Sequence, residues 1–294
     1  TVLLSSGFDE ESSGPLGAKT LSQYIEQRYG RDSVYGIIDE GFGVIAVDKD
    51  VFIAAPLNGE KGKVDVNITV HGHGGHSSVP PDHTTIGVAA ELITVLENHP
   101  FESNFKIESP IFGFLTCAAE HSNIIPQSLK ENILGAPVDA TKAAILAKFI
   151  GSDPRFRDTV RTTRAIDIIH GGIKSNALPE VTTFLVNHRV DIYSSVKETA
   201  EMDLKYARQI AEKHGYGLFF EGEELIPATK LGHIEVKIVK ALEPAPISPS
   251  SGPVWDILAG TIQDVFENGV FSDKPEAELY VTTTLLSSNT DTRH

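Results

Sequence analysis

The feature that most restricts the fold is a strict alternation of apolar and polar residues in "KVDVNITV". Its apolar members are Val64, Val66, Ile68 and Val70. Because successive side chains on a strand point to opposite faces, this pattern predicts an antiparallel strand with one buried and one half-exposed face. Such a strand differs from the α/β alternation that the preceding residues predict, so a domain boundary is expected between residues 58 and 63.

The elements after this strand predict a ferredoxin-like order. "TTIGVAAELITVLENH" has helical spacing through Ile86, Ala90, Ile93 and Leu96. Two strands, "TTRAIDIIHGG" and "EVTTFLVNHRVDI", then precede an amphipathic helix in "SSVKETAEMDLKYARQIAEKHG" and a strand in "GHIEVKIVKAL". The order strand, helix, strand, strand, helix, strand is the split βαβ arrangement, if the poorly periodic residues 100–163 are left out.

The flanking segments predict an α/β domain that is interrupted by this insertion. Strands are expected in "TVLLSS", "VYGIIDEG" and "GVIAVDKDVFIAAPL", with a helix ending at Gly30. After the Pro-rich "EPAPISPSSGP", a helix in "VWDILAGTIQDVFEN" is expected to face a core, and a strand follows in "AELYVTTTLLSS". The expected domains are residues 1–58 and 245–294 for the α/β part and residues 59–244 for the insertion.

Charge and cysteine usage limit the partners and the kind of metal site. The 294 residues carry 40 acids and 25 bases, for a formal charge of −15, which argues against nucleic acid and anionic membranes as partners. We find no run close to the ~20 apolar residues that a membrane span needs. The single Cys117 rules out an internal disulfide and every cysteine-built metal site. Any metal must therefore be held by His, Asp and Glu.

Three adjacent acids, Asp9, Glu10 and Glu11, follow the apolar "VLLSSGF". Adjacent carboxylates repel one another, and their removal from water is costly without a cation or a proton. Two interpretations remain open on these residues alone. The first is a solvated acidic turn, and the second is a metal site in which one carboxylate binds the ion while its neighbour handles a proton.

Two further motifs carry side chains suited to substrate contact. "HGHGGHSSVPPDH" contains His71 and His73, which we expect to face solvent in a Gly-rich turn, and His76, which "SSVP" could hold rigidly at a helix entry. In "HGGIKSNALPE" the Asn176 amide both donates and accepts, which suits a peptide group. An ordinary turn is an equally good interpretation of Asn176 in isolation.

Taken in order, "SSGFDEESSGPLGA", "IIDEG", "GHGGHSSVPP", "GGIKSNALPE" and "NTDTRH" resemble the aminoacylase and carboxypeptidase S branch of the di-zinc exopeptidases. The resemblance covers essentially the whole chain. It implies an α/β zinc-exopeptidase catalytic domain with an inserted α+β ferredoxin-like lid or dimerisation domain. It also implies a zinc carboxypeptidase that releases C-terminal residues from short peptides by metal-activated water attack, and a homodimer formed through the lid.

The same resemblance implies a role for each matching residue. Glu10 would be the general base, and Glu11 and Asp39 would be ligands of Zn²⁺, of which the intact protein would hold two per site. His76 would stabilise the oxyanion, often in the partner's site. Asn176 and Arg189 would contact substrate, with the Arg189 guanidinium suited to a C-terminal carboxylate.

Departures from the family pattern leave alternatives open. The family's His-x-Asp element is absent, and His294 occupies a position that is not a ligand in the family, so a fragment that hydrolyses nothing by itself is expected. The alternatives are an N-acyl-amino-acid amidohydrolase and a non-catalytic dimerising remnant. The glycosylation-type triplet at Asn67 would suit a vacuolar or secretory-pathway lumen, and a cytoplasmic location stays open.

Overall fold

The computed structural model describes residues 2–9, 14–39 and 43–287. The chain divides into two compact units. The first comprises Thr1–Glu60, Lys106–Lys148 and Ala245–His294, and the second comprises Lys61–Phe105 and Phe149–Pro244. The division places residues 106–148 with the flanking segments, whereas the sequence assigns them to the insertion, and the boundaries 59–244 stay a prediction. No helix among the described residues is long and apolar enough to cross a bilayer.

The second unit is built around one six-stranded sheet. Its strands are β3 (Gly62–His71), β5 (Thr163–Gly171), β7 (Val181–Val190), β8 (Gly217–Phe220), β9 (Glu223–Ile226) and β10 (His233–Leu242). Its helices are α2 (Thr85–Asn98) and α6 (Val196–His214), and a small separate pair is formed by β4 (Gly75–His76) and β6 (Ala177–Leu178).

The strand order in this sheet is β5-β7-β3-β10-β8-β9. The four strands β5, β7, β3 and β10 pair antiparallel, and α2 and α6 connect them as a ferredoxin-like unit does. This confirms the fold class expected for the insertion. The hairpin of β8 and β9, which extends the sheet beyond β10, was not expected from the sequence pattern.

The alternating face of β3 forms the centre of the core. Val64, Val66, Ile68 and Val70 are all fully buried. They pack with residues of α2 and α6, among them Leu92, Leu96, Ala207 and Ile210. The polar residues between them lie on the other, half-buried face of the sheet, as the period of two predicts.

The first unit contains a smaller sheet and most of the helices. Its strands are β1 (Val44–Ala46), β2 (Val51–Ala54) and β11 (Glu278–Val281), and β2 pairs antiparallel with β1 and parallel with β11. Its helices are α1 (Gly17–Tyr29), α3 (Pro110–His121), α4 (Gln127–Gly135) and α7 (Pro253–Val265), followed by a π-helical turn at Phe266–Val270. Helix α5 (Ala140–Ser152) spans the point at which the chain passes into the second unit.

Two strands predicted in the first unit are wrong. Residues 2–6 and 34–39 adopt no regular structure, and Leu4 and Ile37 are exposed. A strand is stable only when its backbone groups pair with a neighbour, and no described strand pairs with either segment. The predicted "GVIAVDKDVFIAAPL" strand is found as the hairpin of β1 and β2.

Helix positions were predicted better than the faces that the helices bury. In α2, the structure buries Val88, Ala89 and Leu92 together with the expected Leu96, whereas Ile86 is exposed. In α7, the expected Ile262 packs, partly buried, against a core cluster, whereas Ile257 and Val265 are exposed. Apolar side chains on several faces make the buried face of both helices ambiguous until the partner surface is known.

Candidate functional site

His76 lies in a short two-stranded ladder that joins two of the predicted motifs. In β4 and β6, Gly75 is opposite Leu178 and His76 is opposite Ala177. The backbone N–H of Ser77 donates to the carbonyl of Asn176 at 3.4 Å, and the Ser77 hydroxyl donates to the carbonyl of Ser175 at 3.1 Å. The structure therefore brings together His76 and Asn176, which are 100 positions apart in sequence.

The His76 ring is held by its own turn. The carbonyl of His76 accepts from the N–H of Val79 at 3.0 Å, and Nδ1 accepts from the backbone N–H of Ser78 at 3.2 Å. The Ser78 hydroxyl lies 2.7 Å from the same Nδ1. Because an amide N–H needs a lone pair, Nδ1 carries no hydrogen in this arrangement, and the neutral ring carries its hydrogen on Nε2. No hydrogen bond joins Nε2 to another described residue, and His76 is exposed, so this N–H can donate to a bound molecule.

Asn176 follows a tight loop at the end of β5. Gly172 has a φ of +77°, a conformation that favours glycine, and the N–H of Ala177 donates to the carbonyl of Lys174 at 3.3 Å. The Asn176 side chain is exposed. The loop that carries this exposed side chain therefore lies beside the His76 turn.

Arg189 lies at the opposite end of the six-stranded sheet from His76. In the ladder, Arg189 is opposite Lys63 and Thr163, whereas Val181, at the other end of β7, is opposite His71. Val181 and Arg189 are about 26 Å apart along the strand at ~3.3 Å per residue. One short peptide cannot contact both Arg189 and the His76 turn of a single chain.

The predicted carboxylates fall in the first unit. Asp39 is exposed, whereas Glu10 and Glu11 lie outside the described residues. Within residues 2–9, 14–39 and 43–287, no three His, Cys, Asp or Glu side chains are arranged as metal ligands. The described residues thus do not by themselves fit a zinc ion, for which three or four protein ligands are usual.

Asp9, the first of the three adjacent acids, caps helix α1. Its carboxylate accepts from the N–H of Leu16 at 2.7 Å and from the N–H of Gly17 at 2.9 and 3.0 Å. Its carbonyl accepts from the N–H of Gly14 at 3.0 Å. The bond from Gly17, assisted by that from Leu16, lowers the pKa of Asp9 below its ordinary value despite some opposing desolvation. No short-range sequence signal indicates this role, because Asp9 precedes Gly17, the first residue of α1, by eight positions.

A pair of stacked histidines closes the end of the sheet near the His76 turn. His71, the last residue of β3, is opposite His233 of β10, and their ring centroids are 4.3 Å apart. Burial lowers the pKa of His233, and the neighbouring His71 lowers it further, while Glu235 partly opposes the shift. The expectation that His71 lies in a solvent-facing turn is therefore wrong, although His73 is exposed.

The second unit also buries two charged clusters whose roles are structural. Asp203 is fully buried between Arg164, at 2.9 Å, and the Nε2 of the equally buried His188, at 2.7 Å. Lys61 is fully buried as well and donates from Nζ to the carbonyls of Asp158, at 2.5 Å, and Arg161. Burial lowers the pKa of Lys61 to about 8.

Comparison with known proteins assigns the family. Residues 58–217, more than half of the chain, match the sequence profile of the M20 peptidase dimerisation domain. The chain belongs to the M20 peptidase family. Its relatives include a putative carboxypeptidase of Saccharomyces cerevisiae, which is 59% identical over 294 residues, and carboxypeptidase S of the same organism, which is 56% identical over 295 residues.

These M20 relatives are longer than this chain. Each alignment covers 100% of the chain but only 51% of the relative, so the chain spans about half the length of the curated relatives it matches. Among solved structures, the dipeptidase Dug1p from Saccharomyces cerevisiae matches with a TM-score of 0.51 at 12% identity, over 95% of this chain and 53% of that one. This likeness supports the M20 fold of an α/β catalytic part with an α+β lid.

Proposed function

We propose that this chain is part of a zinc-dependent carboxypeptidase that releases C-terminal residues from short peptides. The observation that supports the proposal is the ladder between β4 and β6, which brings the His76 turn and the Asn176 loop together through backbone hydrogen bonds. One side chain offers an N–H from Nε2, and the other offers an amide that can both donate and accept. These are the groups needed to bind a scissile carbonyl and the adjacent peptide group.

The remaining roles belong to the same proposal. Glu10 acts as the general base, Glu11 and Asp39 are ligands of Zn²⁺, and the other ligands come from outside the described residues. Asp9 supports this assignment indirectly, because its carboxylate is committed to the N-terminus of α1 and is not available as a base or ligand. Of the three adjacent acids, only Glu10 and Glu11 are then left for those roles.

The separation of Arg189 from His76 favours a homodimeric arrangement. If Arg189 binds the substrate carboxylate and His76 binds the oxyanion, about 26 Å of strand keeps them from acting on one peptide within a single chain. Two chains related by a two-fold axis remove this conflict, because one lid can supply Arg189 and the other His76 to each site. The dimerisation domain of the M20 family is consistent with this proposal.

The experiment that tests the activity compares two substrate classes on the full-length protein. A blocked dipeptide and an N-acyl amino acid are assayed side by side, with Glu10→Gln as the inactive reference. Preferential cleavage of the dipeptide supports the carboxypeptidase, and preference for the acylated amino acid supports the aminoacylase-like alternative. No turnover of either substrate by zinc-loaded protein would favour the dimerising remnant.

Metal analysis tests the assignment of the two glutamates. We expect Glu10→Gln to keep its zinc and to lose turnover by ~10²–10⁴, the usual contribution of a positioned base. Glu11→Gln should lose zinc. The opposite pattern would exchange the two roles.

A vacuolar or secretory-pathway location is also part of the proposal and rests on the triplet at Asn67. The Asn67 side chain lies on the half-buried face of the central strand β3 and donates to Thr69 at 3.4 Å. Attachment of a glycan there would have to precede sheet formation, because the strand is paired on both sides. A glycosidase-sensitive shift in mass that Asn67→Gln abolishes would support the location, and an unmodified Asn67 would remove this support.

A further inference from the structure

The hydroxyl of Ser78 and its backbone N–H meet at the same ring nitrogen of His76. The two distances to Nδ1 are 2.7 Å from Oγ and 3.2 Å from the amide nitrogen. Since the amide can only donate, Nδ1 accepts, and the hydroxyl can also approach it only as a donor. Both contacts therefore select the same ring form, with hydrogen on Nε2.

The turn that carries Ser78 is fixed by further hydrogen bonds. The carbonyl of His76 accepts from Val79 at 3.0 Å, which closes the turn over Ser77 and Ser78. The neighbouring Ser77 donates its hydroxyl to the carbonyl of Ser175 at 3.1 Å and not to the ring. Two adjacent serines thus have separate tasks, one anchoring the turn to the Asn176 loop and the other contacting His76.

We propose that Ser78 is a positioning residue that holds the His76 imidazole in the Nε2–H form, ready to donate to the substrate oxygen. The inference rests on the proposed function, in which His76 stabilises the oxyanion. An oxyanion donor must present N–H at the moment when charge develops, and a ring with hydrogen on Nδ1 would direct a lone pair at that oxygen. Ser78 does not touch substrate and acts only through His76.

The test uses the full-length protein and a readout of the ring itself. Long-range ¹H–¹⁵N correlation on histidine-labelled protein distinguishes the two neutral ring forms, and His76→Ala identifies the His76 signals among those of the other histidines. We expect wild type to show an unprotonated Nδ1 and a protonated Nε2. Ser78→Ala removes the 2.7 Å contact and leaves only the longer amide bond of 3.2 Å at Nδ1. It should therefore shift the His76 signals from a single form towards a mixture and reduce kcat about 2- to 10-fold with KM unchanged, as expected for one neutral hydrogen bond.

Two variants serve as controls. Ser78→Thr keeps a hydroxyl and should restore both the ring form and kcat. Ser77→Ala removes the neighbouring hydroxyl and should leave the His76 signals as in wild type. The proposal is overturned if wild-type His76 carries its hydrogen on Nδ1, if Ser78→Ala changes neither readout, or if Ser77→Ala changes the ring signals equally.

Failure of the proposed function gives a different result from failure of this inference. If His76→Ala keeps full activity, His76 is not the oxyanion donor and the proposed function loses that residue. The ring form of His76 in wild type and in Ser78→Ala then still shows whether Ser78 selects it.

Discussion

A Cβ placed on Gly17 would lie 2.3 Å from Oδ1 of Asp9. Only glycine at this position lets the carboxylate reach the first backbone N–H groups of α1. This contact joins Asp9, which immediately precedes the proposed general base Glu10 and the proposed ligand Glu11, to the helix that follows them.

This contact predicts opposite effects for two helical glycines. Gly17→Ala should lower the melting temperature, because the new methyl group must displace the Asp9 carboxylate. Gly260→Ala in α7 should instead stabilise by about 0.5–1 kcal/mol, because nothing lies within 4 Å of a Cβ there and alanine favours helix. Thermal unfolding of both variants checks this, and a stable Gly17→Ala would show that the Asp9 cap is dispensable.

The buried carboxylate of Asp203 should be far more important for stability than a surface carboxylate. Asp203→Asn leaves the guanidinium of Arg164 buried without a charged partner, and we expect a loss of about 3–5 kcal/mol. Asp158→Asn is the matched control, because Asp158 pairs with Arg161 at the surface, and its loss should cost less than about 1 kcal/mol. Urea unfolding measures both, and similar losses would contradict the structural role of Asp203.

The buried Lys61 predicts a stability that rises at alkaline pH. Its pKa is about 8 in the folded protein and 10.5 ordinarily, so between these values the unfolded chain binds more protons and raising the pH favours folding. Between pH 8 and 10.5 the free energy of unfolding of wild type should therefore rise by about 3 kcal/mol relative to that of Lys61→Met. Lys63→Met, at the half-exposed neighbouring lysine, should unfold with the pH dependence of wild type. Parallel pH profiles for wild type and Lys61→Met would show that the pKa of Lys61 is not lowered in the folded protein.

The stacked His71 and His233 predict a loss of stability at acid pH. Because the pKa of His233 is lowered in the folded state, the unfolded chain takes up its proton first as the pH falls below about 6.5. Wild type should therefore lose more stability than His233→Phe between pH 6.5 and 5, since phenylalanine keeps the stacking without the charge. Identical acid profiles of the two proteins would assign the acid sensitivity to other groups.

Subunit mixing tests whether His76 acts in the partner's site. His76→Ala and Glu10→Gln should each have very low activity alone. For His76→Ala, the loss of an oxyanion donor should lower turnover by ~10²–10³. If His76 acts across the dimer, random re-pairing of the two proteins restores about a quarter of wild-type activity, because each mixed dimer gains one complete site. His83→Ala, at another exposed histidine of the same segment, should keep full activity alone. No recovery despite proven subunit exchange would show that each lid serves its own chain.

The sequence by itself determined the ferredoxin-like order of the lid and the buried face of β3. A period of two leaves no choice of face once the strand forms, and Val64 to Val70 are buried as predicted. Motif resemblance also identified His76 and Asn176, which the structure brings together. The roles of these two residues are predictions that rest on the resemblance alone. The same holds for the roles of Glu10, Glu11, Asp39 and Arg189.

Only the tertiary structure decided the features that depend on contacts distant in sequence. The opposite placement of Arg189 and His76 follows from the register of β7 with β3, which no local pattern encodes. The capping role of Asp9 depends on the path that brings it to Gly17. Whether residues 34–39 form a strand depends on a pairing partner, because backbone hydrogen bonds in a sheet are made between segments and not within one.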